Sequence, residues 1–260
     1  MEEDNTTEQK NPKVKSLYKA LKVFDCFDME CSEWSLSDLA KETGMLVSSM
    51  HNILSTFEMC GLVYKNPKTH KFSIGQEVLR LSNIYLRKNS FVKILHQKMD
   101  MLAEQTGENI FFAVPKDTNV LYIEASTPAA SMQSISISGV TAPMYCTGIG
   151  KAMLAESGET VIHDAISKPL VSYTQYTIVA PEQLLEELET VRKNGYAIDN
   201  MEHEFGVKCV GVPIIKNKKL VGGLSISGPS LRFSDEKIEE YARLLKSTID
   251  NLPDYIFSSF

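Results

Sequence analysis

Apolar residues recur every three or four positions up to about residue 105 and then change to short contiguous runs, and that switch of period calls for two modules of different architecture. Val14, Leu17, Leu21, Phe24 and Phe27 mark one apolar helix face, with Lys15, Lys19 and Lys22 elsewhere on it. Ser35, followed three residues later by Asp38, predicts a capped helix through Leu36, Leu39 and Ala40 to Thr43, stopped by Gly44. A further helix over 47–58 is expected to bury Val47, Met50, Ile53, Leu54 and Phe57, leaving Ser48, Ser49, His51, Asn52 and Ser55 on its other side. Gly61 ends this unit. Leu62-Val63-Tyr64 and Lys71-Phe72-Ser73-Ile74 flank a polar turn and read as a β-hairpin. Helix, helix, turn, helix, hairpin is the order of a winged helix-turn-helix over 13–75. A plain helical hairpin beside a two-stranded sheet is the competing reading.

Residues 1–12 are polar and are expected to form a flexible arm. Two amphipathic helices, 75–87 with Val78, Leu79, Leu81 and Ile84, and 91–105 with Leu95, Met99 and Leu102, make residues 76–106 a linker that either dimerises or packs on the C-terminal module. From Asn109 the runs 110–114, 120–123 and 134–137 suit strands of an antiparallel sheet. Helices are expected at 148–156, 159–166 and 181–194, strands at 196–199, 207–215 and 219–227, and a last helix capped by Ser234. The result is an α+β domain over 107–260.

Lys+Arg 27 against Asp+Glu 33 gives a net charge of −6, which disfavours general coating by nucleic acid but leaves room for a local basic face. Five cysteines without a CxxC argue against a disulfide framework and against a thiolate-only zinc site. An acidic opening without an apolar core segment, and no run of about 18 apolar residues, give the expectation of a cytoplasmic chain without membrane association.

Such a basic face is present: Lys10, Lys13, Lys15, Lys19 and Lys22 form an acid-free stretch, and Lys65, Lys68 and Lys71 with His70 decorate the proposed wing. Both sets can hold phosphates. The proposed recognition helix carries no Lys or Arg, so base readout falls to Asn52, which can pair with an adenine edge, and to the serines or His51.

No GxGxxG, P-loop, HExxH or GxSxG is present. Cys146 and Cys209 with His163 or His203 offer a thiolate pair in principle, and Asp199, His203 and Cys209 carry metal-capable atoms, but spacing supports neither. No cofactor or metal is expected. Three segments look instead like walls of a small-molecule site. They are Thr141–Lys151, which enters a helix through small residues, the polar loop Asp199–Gly206, and Leu224–Pro229, which sets two hydroxyls on one strand face. Local hydrogen bonding at a strand end would equally explain those hydroxyls.

These residues resemble the IclR-type bacterial and archaeal transcriptional regulators from about Val14 onward. Ser16–Leu21 looks like the family's opening helix, Leu39–Gly44 like its second helix and turn, Ser48–Leu54 like its recognition helix, and Gly61–Gly75 like its wing. In the second module Thr147-Gly148-Ile149-Gly150-Lys151-Ala152-Met153-Leu154-Ala155, Gly195–Asp199 with Glu202, Gly206–Val210 and Pro213, and Ser225–Pro229 resemble its most distinctive stretches. The chain departs from the pattern at Asn52, where Arg is usual, at Ser49, where Thr is usual, and at Met201 and Phe205, which point to a more apolar pocket and a larger or aromatic effector.

The resemblance implies a homodimer, or a dimer of dimers, on a double-stranded operator, with a GAF-like C-terminal domain that binds a small organic effector, expected to be an acid. By match of motif it implies Thr147, Gly148, Asp199, Cys209, Ser225 and Ser227 as effector contacts. A small-molecule sensor acting through a protein partner without specific DNA binding is the alternative, and an enzyme using Cys146 or Cys209 a third.

Overall fold

The computed structural model describes residues 12–28, 31–88, 90–129 and 137–259, so the expected arm with Lys10 and most of the run 134–137 lie outside the described residues. The chain divides into two compact units, Met1–Leu86 and Arg87–Phe260.

In the first unit α1 (Lys15–Leu21) tightens into a 3-10 turn over Lys22–Cys26 instead of running on to Phe27. The tightening redirects the later side chains, so that Val23 is buried and Phe24 stacks on Phe57 at 4.8 Å while Val14, Leu17 and Leu21 stay exposed. The continuous buried face expected from Val14 to Phe27 is thus corrected. Ser35 caps α2 (Leu36–Glu42), its Oγ accepting the Asp38 N–H at 3.1 Å and donating to the Asp38 carboxylate at 2.6 Å. Gly44, at φ +67°, turns the chain into α3 (Val47–Met59).

Met50, Leu54 and Phe57 of α3 are buried with Val23, Leu39, Ala40, Val63 and Phe72. Val47 is exposed and Ile53 only half-buried, against expectation, because α3 begins at Val47 and its first turn projects past this core. Strands β1 (Val63–Lys65) and β2 (Phe72–Ile74) pair antiparallel, with Val63 opposite Ile74. Trp34 exchanges two backbone hydrogen bonds with Phe72, at 2.9 and 2.7 Å, and its indole N–H donates to the Cys26 carbonyl at 2.8 Å. That bridge ties the entry of α2 to the wing. Beyond it, α4 (Gln76–Lys88) leaves Leu79, Leu81, Ile84 and Tyr85 exposed.

The second unit opens with α5 (Ser90–Thr106), which buries Phe91, Leu95, Met99 and Leu102. Six strands come next, β3 (Asn109–Lys116), β4 (Asn119–Ser126), β5 (Thr141–Pro143), β6 (Ala197–Asn200), β7 (Val207–Lys216) and β8 (Lys219–Pro229), in the antiparallel order β5-β4-β3-β8-β7-β6. Asn217 and Lys218, both at positive φ, make the tight turn between β7 and β8, whose twist suits a hairpin. The short β5 is not expected from sequence, since its three residues offer no alternation to read.

Alternation of side chains gives the sheet two faces. Phe112 meets Phe91 of α5 on one, with ring centroids 5.4 Å apart, while Phe111 turns to the other and meets Tyr122 at 5.8 Å. On the Phe111 face lies α6 (Gly148–Ala155), every residue of which is buried. Helix α7 (Glu159–Ile166) comes after it, and α8 (Pro181–Asn194), opened by Pro181 and closed by Gly195 at φ +68°, packs on α6 through Leu184, Leu188 and Val191. A last helix, α9 (Asp235–Asp250), is capped by Ser234.

Helix α6 lies directly on the sheet because Gly211 has no side chain. A Cβ there would come within 2.4 Å of the Gly148 carbonyl carbon and 2.5 Å of the Ile149 nitrogen, all backbone atoms that cannot swing aside. Gly211→Ala should therefore cost about 1–3 kcal/mol of unfolding free energy in urea denaturation. Gly158→Ala, where an added Cβ meets nothing within 4 Å and only the N-cap preference of α7 is lost, should cost less, under about 1 kcal/mol.

Candidate functional site

The antiparallel register sets the candidate pocket residues in two cross-strand rows on the face beneath α6. Asp199 on β6 stands opposite Cys209 on β7, which stands opposite Ser227 on β8, which stands opposite Asn109 on β3. Two residues along, Gly211, Ser225 and Phe111 form the next row. A period of two keeps both rows on one side. Between them, the start of α6, the β4 residue Tyr122 and the segment 203–207 is a cleft of about 510 Å³. Thr147, Gly148, Asp199, Cys209, Ser225 and Ser227, far apart in sequence, all line it.

The wall segment is held from outside. Thr174 Oγ1 donates to the Met201 carbonyl and Thr177 Oγ1 to the Glu202 carbonyl, each at 2.6 Å. Tyr173 lies 5.1 Å from His203 and Tyr176 stacks on Phe205 at 6.4 Å, centroid to centroid. Phe205 lines the cleft yet is 70% exposed.

Thr147 has a structural task. Its hydroxyl donates to the Pro143 carbonyl at 3.0 Å and accepts the Gly150 N–H at 3.2 Å, capping α6. Its proton is thereby spent on the chain, and the N–H groups of Gly148 and Ile149 are left without an acceptor among the described residues. Ser225, 2% exposed, and the Tyr122 hydroxyl likewise have no hydrogen-bond partner there. Four donors without partners therefore line the cleft.

Asp199 is 2% exposed. Burial pushes its carboxyl up to about 7, with the Glu202 carboxylate adding to the rise, against the pull of backbone N–H groups of Glu202, at 2.7 Å, and His203. Burial, then the nearby Asp199, raises the Cys209 thiol well above its ordinary value, and its sulfur donates to Ser227 Oγ at 3.0 Å. Burial likewise pushes the Cys146 thiol up to about 12. Neither sulfur is a ready thiolate at neutral pH. His163 is exposed on α7 beside Asp164. Among the described residues no group of three or more His, Cys, Asp or Glu is arranged to hold a metal ion.

Behind the wall is a buried ion cluster. Lys151 on α6, 1% exposed, donates to Glu202 at 2.6 Å and to Glu187 on α8 at 2.9 Å. Burial alone depresses the ammonium, but the two carboxylates outweigh it and hold it above its ordinary value. Burial in turn raises the Glu202 carboxyl despite Lys151, and its Oε2 has no hydrogen-bond partner.

On the first unit, Ser48, Ser49, His51, Asn52 and Ser55 are exposed along α3 with side chains that make no hydrogen bond among the described residues. In the wing, the Asn66 side chain accepts the N–H groups of Lys68 and Thr69, at 2.9 and 3.3 Å, shaping a turn that presents Lys68 and Lys71 to solvent. Lys15 and Lys19 are exposed on α1. Lys65 differs: it is half-buried, its ammonium 5.4 Å from the centre of the Phe72 ring.

Sequence reasoning missed Asn109, Phe111 and Tyr122 as cleft residues, having read them only as strand formers. The Phe111 and Phe112 pair carried a signal, since adjacent strand residues must point to opposite faces. Nothing in sequence pointed to Lys151, Glu187 and Glu202 as a cluster, because 36 and 51 positions separate the partners.

Two family models match successive parts of the chain. Residues 16–67 match the family model described as the IclR helix-turn-helix domain, and residues 83–252 match the model for the C-terminal region of bacterial transcriptional regulator IclR. The transcriptional repressor IclR of Escherichia coli K12 is 28% identical over 236 residues, covering 89% of this chain and 86% of that protein. A crystal structure of a regulator assigned to the same family from Silicibacter superposes with a TM-score of 0.85 at 21% identity, covering 93% of this chain and 96% of the other. A homologue from Microbacterium hydrocarbonoxydans, crystallised with 4-hydroxybenzoate, gives a TM-score of 0.68 at 19% identity, covering 91% and 100%.

Replacing Lys151 strands a buried carboxylate. Lys151→Met, which keeps volume but not charge, should cost about 3–5 kcal/mol, measured as a drop in the urea midpoint.

Proposed function

The chain belongs to the IclR family of bacterial transcriptional regulators, and from that membership we propose how its two sites act together. It is a DNA-binding transcriptional regulator with an N-terminal helix-turn-helix and a C-terminal effector-binding domain. In our reading, α3 enters the major groove with Asn52, His51 and the serines at Ser48, Ser49 and Ser55 facing bases, while Lys15, Lys19, Lys68 and Lys71 hold phosphates. Lys65 contributes field rather than contact, its ammonium being engaged over Phe72.

The effector is a small carboxylic acid seated in the cleft. Gly148 and Ile149 N–H groups, with the Ser225 and Tyr122 hydroxyls, take its carboxylate, Asp199, Cys209 and Ser227 border it, and Phe205 and Phe111 receive an apolar body. The observation that carries this reading is that four unpartnered donors line one cleft of about 510 Å³. That space suits a ring-bearing acid better than a two-carbon one, and the 4-hydroxybenzoate bound by the Microbacterium homologue is of that kind.

The functional form is a homodimer. Leu17, Tyr18 and Leu21 on α1 with Val14 just before it, and Leu81, Ile84 and Tyr85 on α4, form uncovered apolar stripes at helical spacing. A dimer presents two recognition helices to a two-fold operator, and effector binding biases one dimer state over another. A sensor that works without specific DNA binding draws no support from the relatives. Localisation follows the family expectation of the cytoplasm, and no helix among the described residues is long and apolar enough to cross a membrane.

Selection from a random double-stranded pool by the full-length protein should recover a palindromic site, and recovery of no motif would refute the reading. On that site Asn52→Ala should weaken binding by about 1–3 kcal/mol and relax one base position. Lys68→Ala should weaken all duplexes alike and lower the salt slope by about 1. Leu81→Glu with Ile84→Glu should shift the protein to monomer in analytical ultracentrifugation, with loss of operator affinity.

A further inference from the structure

The cleft is rich in donors but short of positive charge. Among its described lining residues there is no Lys or Arg, while Asp199 and Glu204 both contribute carboxyl groups. The nearest ammonium in sequence, Lys151, is spent on Glu202 and Glu187. His203 is held neutral, since burial lowers it from its ordinary value. Asp199 lines the same cleft and its backbone passes next to Gly148: a Cβ built on Gly148 would lie 3.3 Å from the Asp199 backbone nitrogen and 3.1 Å from the Cys209 carbonyl oxygen. An effector carboxylate at the Gly148 N–H therefore shares the cleft with Asp199, whose backbone runs beside Gly148 and whose side chain is 2% exposed. Two bare carboxylates so placed cannot both stay ionised.

We infer that the cleft takes a monocarboxylate together with one proton from solvent, held on Asp199, whose neutral carboxyl donates its O–H to the effector's carboxylate. The inference rests on the carboxylic-acid reading of the effector and adds the protonation state in which the acid is bound. No covalent bond forms or breaks beyond that proton transfer.

The groups facing Asp199 favour it as the site of uptake. From α6 comes Lys151, held charged, from its own loop Glu202, His203 and Glu204, from β7 Cys209, from β4 Tyr122 and from the preceding turn Cys146. Burial pushes both thiols and the phenol up, out of the neutral range. Asp199, raised to about 7, is poised to take a proton without a large change of pH. Because the bound state stabilises the protonated form, affinity is full below that value and falls as pH rises above it.

The test is isothermal titration calorimetry of the full-length protein with benzoate, 4-hydroxybenzoate and pyruvate, between pH 6 and 9, in buffers of differing protonation enthalpy. Benzamide and 4-hydroxybenzamide serve as neutral counterparts. The carboxyl groups of these acids remain ionised throughout that range, and benzoate and pyruvate carry no second titrating group in it, so a proton taken up with either of those two is taken by the protein. The expected result is uptake approaching one proton per acid bound at high pH, with affinity falling about tenfold per pH unit above neutrality. Asp199→Asn, whose amide keeps a donor and still accepts the Glu202 N–H, should bind the acids with a flat pH profile, without uptake, and more tightly than the parent at pH 8.5. Acid binding by the parent that is independent of pH, with no proton uptake, overturns the coupling and leaves the effector reading intact. Failure of all three acids to bind at pH 6 overturns both. If Asp199→Asn does not fold, as judged by circular dichroism, the proton count on the parent protein decides the matter.

Discussion

The seating of α6 on the sheet is the contact on which the effector domain depends. It is a backbone-to-backbone approach, Gly148 and Ile149 against Gly211, which no pair of larger residues could make. Because α6 lies this low, its first residues line the same cleft as the row of Asp199, Cys209 and Ser227. The same approach buries the whole helix, Lys151 included, so an ammonium that would normally reach water must find partners inside. Packing, pocket and buried charge are thus consequences of one missing side chain.

The ion cluster that results contributes order more than net stability. Bringing Lys151, Glu202 and Glu187 out of water costs much of what their attraction returns, and Glu202 keeps one oxygen unpaired. What the cluster does is fix three elements to each other: α6, α8 and the loop after β6. Asp199, three residues before Glu202 and bonded to its N–H, inherits that position. A buried carboxyl held still at the edge of a cleft is the kind of group whose protonation responds to a ligand bound beside it.

Much of this was legible in sequence where local rules decide. The Ser35 cap, the Gly44 turn, the Pro181 start and Gly195 stop of α8, and the switch from helical to strand-like runs each rest on a few adjacent residues, and the structure contains all of them. The six motif residues carried over for the effector do meet around one cleft, but their separate tasks were not readable. Thr147 spends its hydroxyl on the helix end, and that depends on where Pro143 O and Gly150 N fall. The errors in the first unit have a similar origin. Periodicity assumes a regular helix, and the 3-10 tightening at Lys22 breaks the phase that would have buried Leu17 and Leu21. Long-range pairs such as Lys151 with Glu187 leave no mark in a linear pattern.

The threonine clips at the cleft wall bear on how such a regulator changes its ligand over evolutionary time. Thr174 and Thr177 grip the carbonyls of Met201 and Glu202, and a carbonyl is the same whatever side chain it belongs to. Part of the wall's anchoring is thus independent of the next residues along the chain, and exchange of His203, Glu204 or Phe205 gives up the ring contacts with Tyr173 and Tyr176 but keeps both backbone clips. Asp199, Lys151 and Glu202 have no such freedom, since each alone leaves a buried partner stranded. Drift in this lineage should accordingly be fast at 203–205 and nearly frozen at 199 and 202, so that one scaffold samples new effectors while conserving the corner that holds their common acid group.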